Sequence, residues 1–144
     1  MAGNAAPIFS RVGQVATDSG TGMSQMVLGA ANDYTGIDAD VTLIFTADPT
    51  NGSWVERIRF KAGGSNVASV ARIYLNNGAT NATATNNAFY GELSLPATTA
   101  IATAATIDVD YPLGFALPAG FRIYFGLGTA VAAGWCATVI GGDY

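Results

Sequence analysis

Few side chains in this chain can do acid–base or metal chemistry, and their spacing narrows what they could do. Asp108 and Asp110 stand two apart in TIDVDYPL. Residues two apart on a strand face the same side, so these carboxylates could repel one another or share a proton. Flanking a cleft, such a pair is the material of glycoside hydrolysis; a solvated strand face uses the same spacing. Asp33, Asp38 and Asp40 in NDYTGIDAD offer oxygens of the kind calcium takes. Their spacing is not that of an EF-hand loop, and turns commonly contain Asp and Gly. The chain has no histidine, which removes the Ser-His-Asp and Cys-His arrangements and the commonest metal ligand. Cys136 is the one cysteine, so no intrachain disulfide forms, and without a base it reads as a small buried hydrophobe. Gly126-Leu127-Gly128 with Gly134 lacks the Lys-Ser/Thr of a P-loop and joins strand to strand. These residues point away from an enzyme, and no cofactor or metal is expected.

Binding is the alternative to catalysis, and the basic residues and tyrosines are its material. Four of the six basic residues lie in SWVERIRFKAGGSNVASVARIYLN, residues 53–76. This stretch reads as two strands joined by the turn Ala62-Gly63-Gly64-Ser65-Asn66. Strand alternation places Trp54, Glu56, Ile58 and Phe60 on one face, and Val55, Arg57, Arg59 and Lys61 on the other. In the second strand Val67, Ser69, Ala71, Ile73 and Leu75 alternate with Ala68, Val70, Arg72, Tyr74 and Asn76, and in AFYGELSL the expectation is Phe89, Gly91, Leu93 and Leu95 inward with Tyr90, Glu92 and Ser94 outward. The expectation is a sheet with a packed inside and a basic outside. Arg57, Arg59, Arg72 and Tyr74 are the candidate protein-interface residues. The competing reading is that the cations pair with carboxylates such as Glu56 or Glu92. With a net charge of −4 and a pI near 4.3, bulk attraction to nucleic acid is not expected.

The elements that must carry these residues are strands. At 144 residues the default is one domain, large enough to build a core without disulfides or metals. Strands are expected over residues 8–16, near 25–28, and over 40–47, 53–61, 67–76, 88–95, 106–113, 121–127 and 134–140. Pro, Gly and Asn punctuate them, and no segment repeats with a helical period. A flexible arm is expected over residues 1–7, with long loops over 17–39 and 76–87. Long connections favour crossed-over topology. The expected fold is all-β: a single antiparallel β-sandwich, jelly-roll-like, with about eight strands. No apolar run reaches the length of a membrane helix, and no signal peptide is apparent, so a cytosol-like compartment is expected. Only 11% of residues are charged, against roughly 25% in an average soluble domain, which suits a protein packed among other subunits.

The segments WVERIRFKAGGSNVASVARIYLNNGAT, FYGELSLPATT, LGFALPAGFRIYFGLGTAVAAGW and IGGDY resemble small structural proteins of tailed bacteriophages. Within these they are most similar to the β-sandwich cement, or decoration, proteins of capsids. The resemblance covers roughly residues 53–144. It implies a non-enzymatic virion protein, made in the host bacterial cytoplasm, that sits on the capsid exterior. It also implies that the chain bridges major capsid protein subunits and associates with itself as a homodimer or homotrimer. A receptor- or glycan-binding module of a phage tail fibre or spike is the alternative, with the exposed tyrosines as its contact residues.

Overall fold

The computed structural model describes residues 12–16, 26–27, 29–30 and 33–144. The expected arm over 1–7 and much of the expected loop over 17–39 lie outside them. The strands are β1 (Val12–Ala16), β2 (Met26–Val27), β3 (Thr42–Thr46), β4 (Ser53–Ala62) and β5 (Ser69–Asn76), then β6 (Asn87–Leu95), β7 (Asp108–Leu117), β8 (Arg122–Leu127) and β9 (Trp135–Asp143).

One sheet, here sheet A, has the order β1-β9-β4-β7, with β2 also on β9; the other, sheet B, has the order β3-β8-β5-β6. Every strand pairing is antiparallel. β1 and β2 share one edge of β9, at residues 139–143 and 135–136 respectively, so each sheet is four strands wide. The chain passes between the sheets in the alternation of a jelly roll, as the sequence suggested.

The core fills the space between the sheets. Val55, Ile58 and Phe60 of β4 and Trp135, Ala137 and Val139 of β9 face Ala71 and Ile73 of β5 and Ile123, Phe125 and Leu127 of β8. Phe60 and Phe125 meet across the sandwich with ring centroids 5.1 Å apart. Burying each such large side chain contributes about 1.5–3 kcal/mol, and that drives the sheets together.

Three expectations are corrected. β4 and β5 are not one sheet: β4 lies in sheet A and β5 in sheet B, so residues 63–68 cross between layers. A Gly-rich six-residue connection serves either geometry, so its composition does not choose. In β4 the register against β9 slips between Val55 and Arg57. That bulge at Glu56 shifts the alternation by one, so Val55 turns into the core and Trp54 stays 39% exposed. In β6 the register slips at Tyr90, because Ile73 opposes Gly91 while Tyr74 opposes Phe89. Phe89, expected inward, therefore packs outside sheet B against Tyr74, with centroids 5.8 Å apart. Tyr90, expected outward, meets Tyr111 and Phe115 of β7.

The sandwich has two unlike ends. Connections 63–68, 96–107 and 128–134 gather at one, the loop end; 47–52, 77–86 and 118–121 gather at the other, the turn end. The turn end is tight at Gly52, whose φ of +79° suits glycine and whose missing Cβ leaves room for the Leu117 carbonyl oxygen.

Candidate functional site

The basic residues do not converge on one surface. Arg57, Arg59 and Lys61 lie on the outer face of sheet A, whereas Arg72 lies on sheet B. Cross-strand pairing sets the three β4 cations beside the two aspartates of β7, with Arg59 opposite Asp110 and Lys61 opposite Asp108. Arg59 is bonded to Asp108 at 2.5 Å, Lys61 approaches the same carboxylate at 4.0 Å, and Arg57 lies 4.0 Å from Asp110 and 3.5 Å from Glu56. The basic stripe is thus largely neutralised within the chain. Asp108 and Asp110 lie beside these cations on an open sheet surface rather than flanking a cleft. Partly exposed pairs of this kind contribute about 0–1 kcal/mol each.

Tyr74 is buried, which corrects its place among candidate interface residues. The segment from Asp33 to Val41 folds over the outside of sheet B, and Tyr74, Tyr124 and Val41 form a small second core there. The Tyr74 hydroxyl donates to the Asp33 carbonyl at 2.8 Å. Burial, with the negative charge of Asp33 nearby, pushes the Tyr74 phenol up to about 12. Asp33 anchors the turn by accepting from the Thr35 and Gly36 N–H groups at 2.8 and 2.7 Å. Burial pushes its carboxyl up, but those hydrogen bonds outweigh it and hold the group below the usual aspartate value. Arg72 lies over the exposed Tyr34 ring at 4.4 Å and faces Glu92 across the β5–β6 pair. Asp33, Asp38 and Asp40 are spent on local geometry: Asp38 accepts from the Asp40 N–H, and the Asp40 carboxyl packs on Gly29. Among the described residues no group of three or more His, Cys, Asp or Glu is placed to hold a metal, and no helix is long and apolar enough to cross a membrane.

The most distinctive surface is the loop end. None of residues 63–68, 96–107 or 128–134 carries a charge. Val67, Ile101 and Ile107 project there at 58%, 56% and 44% exposure, with Ala97, Ala100, Ala102, Ala104, Ala105 and Ala130 also open. Asn66 ties the three loops together from beneath. Its side-chain N–H donates to the Gly134 carbonyl at 3.0 Å, and its oxygen accepts from Ala133 and Gly134 N–H at 2.8 and 3.0 Å. Its backbone exchanges two hydrogen bonds with Thr98. Thr98 donates to the Gly64 carbonyl at 2.6 Å, Ser65 accepts from Ala100 N–H at 2.9 Å, and Ser69 donates to the Thr129 carbonyl at 2.9 Å. Thr106 donates to the Ala62 carbonyl, joining the 96–107 loop to β4 as well. The polar groups named here bond beneath the surface, and exposed Val, Ile and Ala side chains stand above it beside Thr99, Thr103 and Thr129.

The sequence reading overlooked this surface. Its signal was a charge-free composition in three separated stretches, which only the topology brings to one end. No protein-family model, curated protein or solved structure matches the chain.

Proposed function

We propose that this chain is a non-enzymatic structural virion protein, a capsid decoration protein of the tailed-phage type. In this reading it docks on the outer surface of a capsid and bridges major capsid protein subunits. The observation that carries the reading is the loop end: a charge-free, apolar and internally hydrogen-bonded surface on a rigid sandwich. Exposed apolar groups that form a patch, rather than occurring singly, mark protein contact surfaces. A surface pre-organised by Asn66 loses little conformational entropy on docking. Exposed Tyr34, Phe89 and Trp54 supply further contacts on the two sheet faces, as bridging more than one neighbour requires. Many modest contacts on a lattice add up through effective concentration.

The test is co-sedimentation of purified protein with capsids that lack it, followed by heating. Saturable binding at a fixed ratio to the major capsid protein, with a raised disruption temperature, supports the proposal. Absence of binding removes it.

One observation favours a second reading, a glycan-binding module. Trp54 is 39% exposed and stands in a cross-strand row with Gly142, Gly13 and Ala116, so little shields its ring from a flat ligand. A glycan array in which binding is lost in Trp54→Ala would support that reading over the capsid one.

A further inference from the structure

Two strands end the sheets on the same side of the sandwich: β6 in sheet B and β7 in sheet A. Tyr90 of β6 meets Tyr111 and Phe115 of β7 there, with ring centroids 6.3 and 5.4 Å apart. The core is open on this side. Leu93, Tyr111, Leu113 and Phe115 are only half-buried, whereas Val55, Ile58 and Phe60 on neighbouring β4 are fully covered. At the opposite edge of sheet B, Ile44 and Phe45 of β3 are covered as well. The open side runs on into a cleft of about 380 Å³ at the turn end, lined by Ala88 of β6 and by Phe115, Ala116 and Leu117 of β7. The asparagines on the cleft's rim are bonded to one another and to backbone.

The two edges differ in protection. β7 carries Asp108, Asp110 and Pro112, a charged and proline-bearing edge of the kind that resists pairing. β6 has no proline and one charge, Glu92. Beyond the bulge at Tyr90, its residues Gly91–Leu95 keep unbroken register with β5. The Val70 carbonyl accepts from the Gly128 N–H on the β8 side, and the Asn77 N–H donates to the Asn86 carbonyl on the other. Backbone groups alternate in direction along a strand, so Ala71 and Ile73 turn theirs to β6, where they pair with Leu93 and Gly91. Glu92 and Ser94 therefore turn their N–H and C=O groups outward, to an edge that no described residue pairs with.

We propose that this edge pairs antiparallel with the same edge of a second copy of the chain, about a twofold axis at Leu93. In that register Glu92 stands opposite Ser94 of the second copy, and each such pair exchanges both N–H···O bonds. Centring on Glu92 would set like charges face to face. Centring on Ser94 would set Glu92 against Pro96, which has no N–H. Centring on Gly91 would bring in the bulged Tyr90. The same rotation sets the two β7 strands side by side and covers Tyr111 and Leu113. β6 and β7 contribute nine and ten residues, close to the roughly 20–30 a side of a standard interface. Because the contact uses one patch on both copies, it closes at two. The inference does not depend on capsid binding.

The test is sedimentation of the full chain over a wide concentration range. The wild-type chain should pass from monomer to dimer and stop there. Ser94→Pro removes an outward N–H and none from the β5–β6 ladder, so it should stay monomeric with an unchanged far-UV CD spectrum. Ser94→Glu, an exposed change that faces Glu92 of the second copy, should raise the dimer Kd about threefold or more at low salt, and Ser94→Lys should lower it. A chain monomeric throughout, a trimer, or a folded Ser94→Pro chain that still dimerises would overturn the proposal. So would a dimer whose Kd is the same in Ser94→Glu and Ser94→Lys.

Discussion

The two ends of the sandwich solve the same problem, closing a gap between sheets, by different means. At the loop end, Asn66 sits 5% exposed among three loops, and the backbone groups it meets are satisfied. At the turn end, short turns and a loop of bonded asparagines leave an apolar cleft between Leu75, Phe115, Leu117 and Phe121. The filled end presents a finished apolar surface outward; the open end presents an unfilled one inward. A finished surface suits a partner that must be met in one shape.

That contrast predicts where substitutions hurt most. Asn66→Ala would strand the Gly134 carbonyl and the Ala133 and Gly134 N–H groups together, and unsatisfied buried groups cost about 1–3 kcal/mol each. We expect a loss of about 3–5 kcal/mol by denaturant titration, the largest effect of any single polar substitution. A loss below about 1 kcal/mol would show that the loops hold themselves without Asn66. Next comes Gly52→Ala at the turn end. A left-handed residue with a Cβ costs about 1–2 kcal/mol, and here the new methyl also meets the Leu117 carbonyl oxygen. About 2–3 kcal/mol is expected, read in the same titration.

Smaller effects test the flanks of the comparison. Tyr74→Phe should cost about 1 kcal/mol and should also remove a pH dependence. The folded phenol titrates near 12 and an unfolded tyrosine near 10. The stability it contributes is therefore complete below pH 10 and lost as pH rises through about 12. Thermal melts between pH 9 and 12 should show the wild-type chain losing its advantage over the Phe variant in that window. Smallest of all is Asp108→Asn in the ladder on sheet A. Because Arg59, Lys61 and Asp108 are all well exposed, less than about 1 kcal/mol is expected, and it should shrink as salt is added.

Much of this architecture was readable in the sequence, and the misreadings share a cause. Strong alternation in WCATVI marks a strand that keeps its period, whereas TLIFT and RIYFGL are strands as expected although their mutual register slips at Ile44. Glu56 and Tyr90 are bulge residues, and a bulge is set by how a partner strand fits rather than by composition. Strict alternation therefore puts Trp54, Phe89 and Tyr90 on the wrong faces. Tyr74 looked exposed because it alternates with the core residues Ile73 and Ala71, but the cover over it comes from residues 33–41, far away in sequence. The clustering of Arg57, Arg59 and Arg72 failed for a topological reason, since nothing in Ala62–Ala68 says whether the chain turns back or crosses to the other sheet. The charge-free loop end was legible in composition but not in location.

The central claim is that the loop end is the surface that meets the capsid, and placing a charge on each end tests it most directly. Ile101→Lys at the loop end and Ala119→Lys at the turn end both alter exposed residues. Both variants should keep the wild-type Tm within about 2 °C. In co-sedimentation with capsids lacking the protein, Ile101→Lys should lose binding by tenfold or more, about 1.4 kcal/mol, and Ala119→Lys should bind as wild type does. Equal binding of the two, or loss confined to Ala119→Lys, would contradict the account.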